Sequence, residues 1–125
     1  MKIIDTTVAV DHLRGTEAAV GLMIKLTDAD ETLAASELVR FELLAGVHPS
    51  ENDALEQFFS SLFWLPVDEG IARTAGSLAR RYHKAHTGID DVDYLIAATS
   101  IVCEADLLTT NVRHFPMFPD LEPPY

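Results

Sequence analysis

The sequence contains one cysteine, Cys103, and no apolar run long enough to span a bilayer. A single cysteine excludes an internal disulfide and a cysteine-based metal site. Cations are also scarce: 9 Lys and Arg face 20 Asp and Glu, which gives a formal net charge of −11 and argues against the broad basic surface of a conventional nucleic-acid binder. Because Asp5 interrupts the apolar start, the N-terminus does not read as a signal peptide. We expect a cytoplasmic protein without membrane contact.

What the chain does have is an alternation of short apolar segments with longer amphipathic ones. Strands are predicted at 2–4, 32–35, 64–67 and 106–109, with helices between them. Ser36 is placed to cap one helix, whose inward residues are predicted to be Leu38, Phe41, Leu44 and Ala45. No repeat or linker divides the 125 residues, so one domain, 1–125, is expected. The alternation predicts an α/β fold with a mainly parallel central sheet.

The segment 90–103 is the most apolar of the predicted helices, and three aspartates stand at its start. A helix N-terminus tolerates carboxylates, which accounts for Asp90 and Asp91. Asp93 lies one residue past the first core position and needs a partner there, for which a cation is the obvious choice. The predicted core face of this helix consists of Val92, Leu95, Ile96, Thr99, Val102 and Cys103.

Oxygen-bearing side chains follow the predicted strands. Asp5 ends the first strand, Glu42 lies in the helix after the second, Asp93 begins the helix that enters the last, and Asn111 follows that strand. Parallel strands end at one edge of a sheet, where sites form. Clustered carboxylates repel one another unless a cation lies among them, and oxygen ligands without Cys or suitably spaced His favour Mg²⁺ or Mn²⁺. This is the chemistry of phosphodiester hydrolysis.

Four segments carry a resemblance to a known family: 5–7 (DTT), 42–46 (ELLAG), 93–99 (DYLIAAT) and 109–115 (TTNVRHF). They are similar to the motifs of PIN-domain ribonucleases, above all the VapC-type toxins of bacterial toxin–antitoxin pairs, over essentially the whole chain. The resemblance implies a three-layer sandwich and an endoribonuclease that uses Mg²⁺, with Mn²⁺ able to substitute. It also implies a VapB-type antitoxin partner, a homodimer, and DNA binding only through the antitoxin.

The resemblance also implies roles for individual residues. The metal-binding acids of the family fall on Asp5, Glu42 and Asp93, and its fourth acidic position falls on Asn111. An amide oxygen brings one negative charge fewer, so the number of metal ions stays open, and Asp91 is a candidate to compensate. Thr7 falls where the family has a small polar residue that supports the first acid.

Each of these residues could instead have a purely structural role. Asp5 and Asn111 could be turn residues and Glu42 a solvated helix residue, but their joint occurrence in matching contexts favours a site. A basic group could bind RNA phosphates or be an ordinary solvated surface; it consists of Arg80, Arg81, Lys84 and Arg113.

Three other functions share parts of this pattern. A haloacid-dehalogenase-type phosphatase would need a second Asp where Thr7 stands, and a phosphorylated receiver would need a Lys after a late strand; the sequence has neither, which argues against both. A catalytically weakened domain that mainly binds an antitoxin stays open, because Asn111 replaces an acid. For the nuclease, no pair of His residues is placed for acid–base catalysis in which the 2′-hydroxyl of RNA attacks. We therefore expect a metal-activated water to attack the phosphate, which leaves 5′-phosphate and 3′-hydroxyl ends.

Overall fold

Four short parallel strands form the sheet at the centre of the chain, in a computed structural model that describes residues 1–125. The strands are β1 (Lys2–Ile4), β2 (Leu33–Ser36), β3 (Phe63–Leu65) and β4 (Asp106–Leu108). Their order across the sheet is β3-β2-β1-β4, and every neighbouring pair is parallel. The prediction of an α/β fold with a parallel sheet is confirmed, with the third predicted strand at an edge.

Six helices surround this sheet. They are α1 (Thr6–Leu13), α2 (Glu17–Asp28), α3 (Glu37–Gly46), α4 (Asn52–Phe59), α5 (Glu69–Tyr82) and α6 (Asp91–Val102). Two one-turn 3-10 helices lie at Pro49–Glu51, just before α4, and at Val112–His114, after β4. Four of the six helices begin with a side chain that accepts a hydrogen bond from a backbone N–H of the first turn: Asp5, Ser36, Asp68 and Asp90. None of the helices combines the length and the apolar character needed to cross a membrane.

Helix α6 is buried on more than one side. Ile96 and Ala97 belong to the main core together with Ile3 and Ile4 of β1, whereas Tyr94 and Ala98 pack against α5 in a second cluster. The predicted single core face is therefore wrong in part: Val102 is 44% exposed, and Ala97 and Ala98 are fully buried. Small side chains at these two positions let the helix approach both neighbours closely, as expected for a helix between two packed layers.

The predicted inward face of α3 is also wrong. Val39 and Leu43 are buried in the main core, while Phe41 is 64% exposed and Leu44 is 45% exposed. Both faces of this helix are apolar, so hydrophobic spacing alone does not choose between them. The choice is made by packing, because α3 lies against β2 and α1.

Candidate active site

Asp5 is a buried carboxylate at the point where β1 ends and α1 begins. Its Oδ1 accepts a hydrogen bond from the Thr6 backbone N–H at 2.8 Å, and its Oδ2 accepts one from the Thr109 hydroxyl at 2.6 Å. Burial raises the pKa of Asp5, and the hydrogen bonds from Thr109, Thr6 and Thr7 offset this rise only in part. Asp5 takes part in no ion pair. A buried, uncompensated anion of this kind is stabilised by a bound cation.

Thr109 connects the chain after β4 to Asp5. Its side chain is fully buried, and besides donating to Asp5 it accepts a hydrogen bond from the Asn111 backbone N–H at 3.0 Å. The Thr7 hydroxyl lies 3.3 Å from that of Thr109 and 3.4 Å from Asp5 Oδ2, and it accepts a hydrogen bond from the Thr110 N–H at 3.2 Å. These contacts bring the half-buried Asn111 to the same end of the sheet as Asp5.

Glu42 reaches the site through Thr6. The Thr6 hydroxyl donates to Glu42 Oε1 at 2.6 Å, while the backbone N–H of the same residue donates to Asp5. Thr6 therefore binds two acids that are 37 positions apart in the sequence. This contact also joins α3 to the start of α1.

Asp93 is held by the start of its own helix and by a histidine. Its Oδ2 accepts from the Asp90 backbone N–H at 3.3 Å and from His114 Nδ1–H at 2.8 Å, and Asp90 Oδ1 accepts from the Asp93 N–H at 3.0 Å. The two aspartates thus form a reciprocal helix cap. Burial raises the pKa of Asp93, and its side chain is only 13% exposed. The partner that the sequence required for Asp93 is, in the structure, His114.

His114 relates Asp93 to Asp5. Besides its hydrogen bond to Asp93, a positive charge on its ring would act to lower the pKa of Asp5. Sequence reasoning assigned no role to Thr6, Thr109 or His114. The available signal was their position within the quoted segments, next to the acid or the strand end that each supports.

Other sequence-predicted residues lie outside this hydrogen-bonded set. Asp91 is exposed in the first turn of α6 and makes no side-chain hydrogen bond or ion pair. The four basic residues are exposed and pair with no acid: Arg80 and Arg81 in the last turn of α5, Lys84 just after it, and Arg113 beside His114.

The oxygen donors at this end of the sheet have the chemistry of a metal site. All candidate ligands are oxygens, and the buried charge of Asp5 lacks a counter-ion, both of which suit a hard divalent cation. No three His, Cys, Asp or Glu side chains lie close enough together to hold an ion at once. Ligation by Asp5, Glu42 and Asp93 together would therefore need these carboxylates to move closer to one another than they stand in the structure.

Comparison with known proteins points to one family. The PIN domain family model matches residues 2–118. Ribonuclease VapC19 of Mycobacterium tuberculosis is 70% identical over 125 residues, which is the full length of both chains. Ribonuclease VapC10 of the same species is 40% identical over 125 residues, covering all of this chain and 93% of the relative. The structure of VapBC2 from Rickettsia felis, bound to a promoter DNA fragment, superimposes with a TM-score of 0.81 at 24% identity over 96% of this chain and 94% of that one.

The chain therefore belongs to the PIN-domain family. Within that family its curated relatives are VapC proteins, so the resemblance stated from the motifs is confirmed, as is the PIN-like sandwich. Dependence on a divalent metal is the usual feature of VapC ribonucleases in this family.

Proposed function

We propose that this chain is a Mg²⁺-dependent endoribonuclease and the toxin of a VapBC-type toxin–antitoxin pair. The observation that carries the proposal is the buried, unpaired carboxylate of Asp5, with Glu42, Asp93 and Asn111 brought to the same end of the sheet by hydrogen bonds. Relatives named ribonucleases over the full chain length support the same reaction.

Asp5, Glu42 and Asp93 would hold the ion, with Asn111 as a neutral oxygen ligand. When bound, Mg²⁺ or Mn²⁺ makes water more acidic and offsets charge on the phosphate. The chain's own residues orient the ligands: Thr109 fixes Asp5 and Thr6 fixes Glu42. His114 engages only Oδ2 of Asp93, so Oδ1 stays free to bind or to accept a proton from water. Asp91, in the first turn of α6, would be an additional ligand that compensates for the missing charge at Asn111.

RNA phosphates would contact the exposed basic residues. Lys2, Arg40 and Arg73 are neutralised by acids, which leaves six of the 9 Lys and Arg without an acidic partner. Four of those six flank α6 and His114: Arg80, Arg81, Lys84 and Arg113. A local cluster of this kind can attract phosphate although the net charge of the chain is −11.

The partner in this proposal is a basic VapB-type antitoxin that supplies all specific DNA binding, in the cytoplasm. Charge complementarity supports it, since the chain carries 20 acids against 9 Lys and Arg. A homodimer belongs to the same proposal. Phe41 and Phe63, exposed by 64% and 59%, offer apolar area for protein contacts.

A second function is favoured by one observation. Asn111 stands where the family has an acid, so a weakened domain that acts mainly by binding its antitoxin is the alternative. Cleavage by the isolated chain separates the two functions.

The test uses the full chain freed of antitoxin, an RNA substrate and Mg²⁺. Asp93→Asn should retain the fold, because an amide oxygen can still accept from Asp90 and His114, but should lower cleavage about 100-fold or more through loss of a charged ligand. Asp53→Asn is the matched control, since Asp53 is likewise an acid in the first turn of a helix, α4, but is exposed and lies outside the candidate site. Cleavage should stop in EDTA and leave 5′-phosphate and 3′-hydroxyl ends. Cleavage by Asp93→Asn at the wild-type rate, or 2′,3′-cyclic phosphate ends made in EDTA, would refute the proposal.

A further inference from the structure

Two aromatic rings lie beside the unpaired cations at the end of α5. The Tyr82 and His86 ring centroids are 5.9 Å apart with the planes tilted by 52°, and the Arg81 guanidinium lies 5.4 Å from the Tyr82 centroid. The backbone N–H of His86 donates to the backbone carbonyl of Tyr82 at 3.0 Å, so one turn of chain holds both rings on the same side of this segment. We call the segment 80–86 the α5 platform.

The charge of the α5 platform differs from that of the rest of the same helix. Arg73, about two turns earlier, is 78% exposed but bonds Glu69 at 2.9 Å. Arg80, Arg81 and Lys84 are exposed and bond no acid, although acids outnumber cations in the chain as a whole. A site for an anion needs such uncommitted cations.

The position of the platform relates it to the candidate active site. Helix α5 packs along α6, and the chain runs from His86 through only three residues to Asp90, whose cap is shared with Asp93. The platform is thus separated from the N-terminus of α6, where Asp93 lies, by only a few residues of chain.

We propose that the α5 platform binds unpaired RNA, with one base stacked on Tyr82 and His86 and the adjacent phosphates on Arg80, Arg81 and Lys84. The inference rests on the proposed ribonuclease function and assigns it a substrate-binding surface. Ring faces flanked by cations are the arrangement that binds single strands, because a base within a duplex has both of its faces covered by its neighbours.

The experiment measures fluorescence anisotropy of labelled RNA with full-length Asp93→Asn protein, which binds without cutting. A single-stranded oligonucleotide and the duplex of the same sequence are compared. The single strand should bind more tightly, and adding Tyr82→Leu and His86→Ala should weaken it about fivefold or more. Leu keeps the apolar contact that Tyr82 makes with the α5–α6 cluster. Tyr82→Phe keeps the ring and should bind as the parent does.

Charge is tested separately from stacking. Replacing Arg80, Arg81 and Lys84 by Ala should reduce the slope of log affinity against log salt by about 2. Arg73→Ala is the matched control on the same helix and should leave the slope unchanged. Equal affinity for the duplex, or unchanged affinity after loss of both rings, overturns the inference. RNA cleavage by the wild-type chain tests the ribonuclease function independently. If the chain cleaves RNA but binds it equally well without the two rings, the ribonuclease function holds and the platform proposal fails. If binding depends on the rings but no RNA is cleaved, the platform proposal holds and the ribonuclease function fails.

Discussion

Replacing Thr109 by Val tests whether the hydrogen bonds around Asp5 hold the candidate site together. Val has the shape of Thr but no hydroxyl, so the fully buried position is filled without a cavity. Two hydrogen bonds disappear, the one donated to Asp5 Oδ2 at 2.6 Å and the one accepted from the Asn111 N–H at 3.0 Å, together with the longer contact of 3.3 Å to the Thr7 hydroxyl. Because the Thr109 hydroxyl acts to lower the pKa of Asp5, its loss should also raise that pKa further.

The expected loss of stability follows from these two bonds. A hydrogen bond to a charged group contributes about 1.5–3 kcal/mol and a neutral one about 1 kcal/mol. The free energy of unfolding of Thr109→Val should therefore fall by about 2–4 kcal/mol, a large part of the roughly 5–15 kcal/mol typical of a domain. Thr109→Ser keeps the hydroxyl and loses one methyl group, so it should cost only about 1 kcal/mol.

Urea unfolding in EDTA, followed by circular dichroism, measures both variants. With a slope of about 2 kcal/mol/M, the midpoint for Val should drop by about 1–2 M and the midpoint for Ser by much less. If Thr109→Val were as stable as the wild type, or less affected than Thr109→Ser, the hydroxyl would not be the link between β4 and Asp5.

Two further predictions concern the charges of the site. Asn111→Asp should tighten Mn²⁺ binding by adding a charged ligand; calorimetric titration showing unchanged affinity and stoichiometry would place Asn111 outside the ligand set. Burial raises the pKa of Asp5 in the folded state above the ordinary Asp value of 3.8. Without metal, the contribution of Asp5 to the free energy of unfolding is therefore fully present below pH 3.8 and is lost as the pH rises through the raised pKa. Asp5→Asn lacks this loss and should gain stability over the wild type between acidic and neutral pH in EDTA; parallel pH profiles would contradict the argument.

The fold was predictable from the sequence because its signals are local. Strand and helix alternation places Asp5, Asp93 and Asn111 near strand or helix ends and Glu42 within the helix after the second strand, where the structure has them. The face of α3 was not predictable, since Val39 and Phe41 are equally apolar and only packing against β2 and α1 distinguishes them.

The contacts that orient the acids could not be predicted from local sequence patterns either. Thr109 bonds Asp5 across 104 positions, and His114 bonds Asp93 across 21, so neither pair leaves a periodic signature. A short Thr or a surface His is also a common residue with many structural roles. Such pairs are identified only once the sheet brings β1 and β4 side by side.

The pairing of β1 with β4 has a consequence for synthesis. Strand β1 is made before every helix of the fold, but its register with Asp106–Leu108 and the Thr109 hydroxyl that binds Asp5 come from residues made after all six helices. An incomplete chain on the ribosome therefore contains Asp5 and Glu42 without Thr109, Asn111 or His114. The nuclease that we propose would stay inactive until residues 106–114 have been made and have paired with β1.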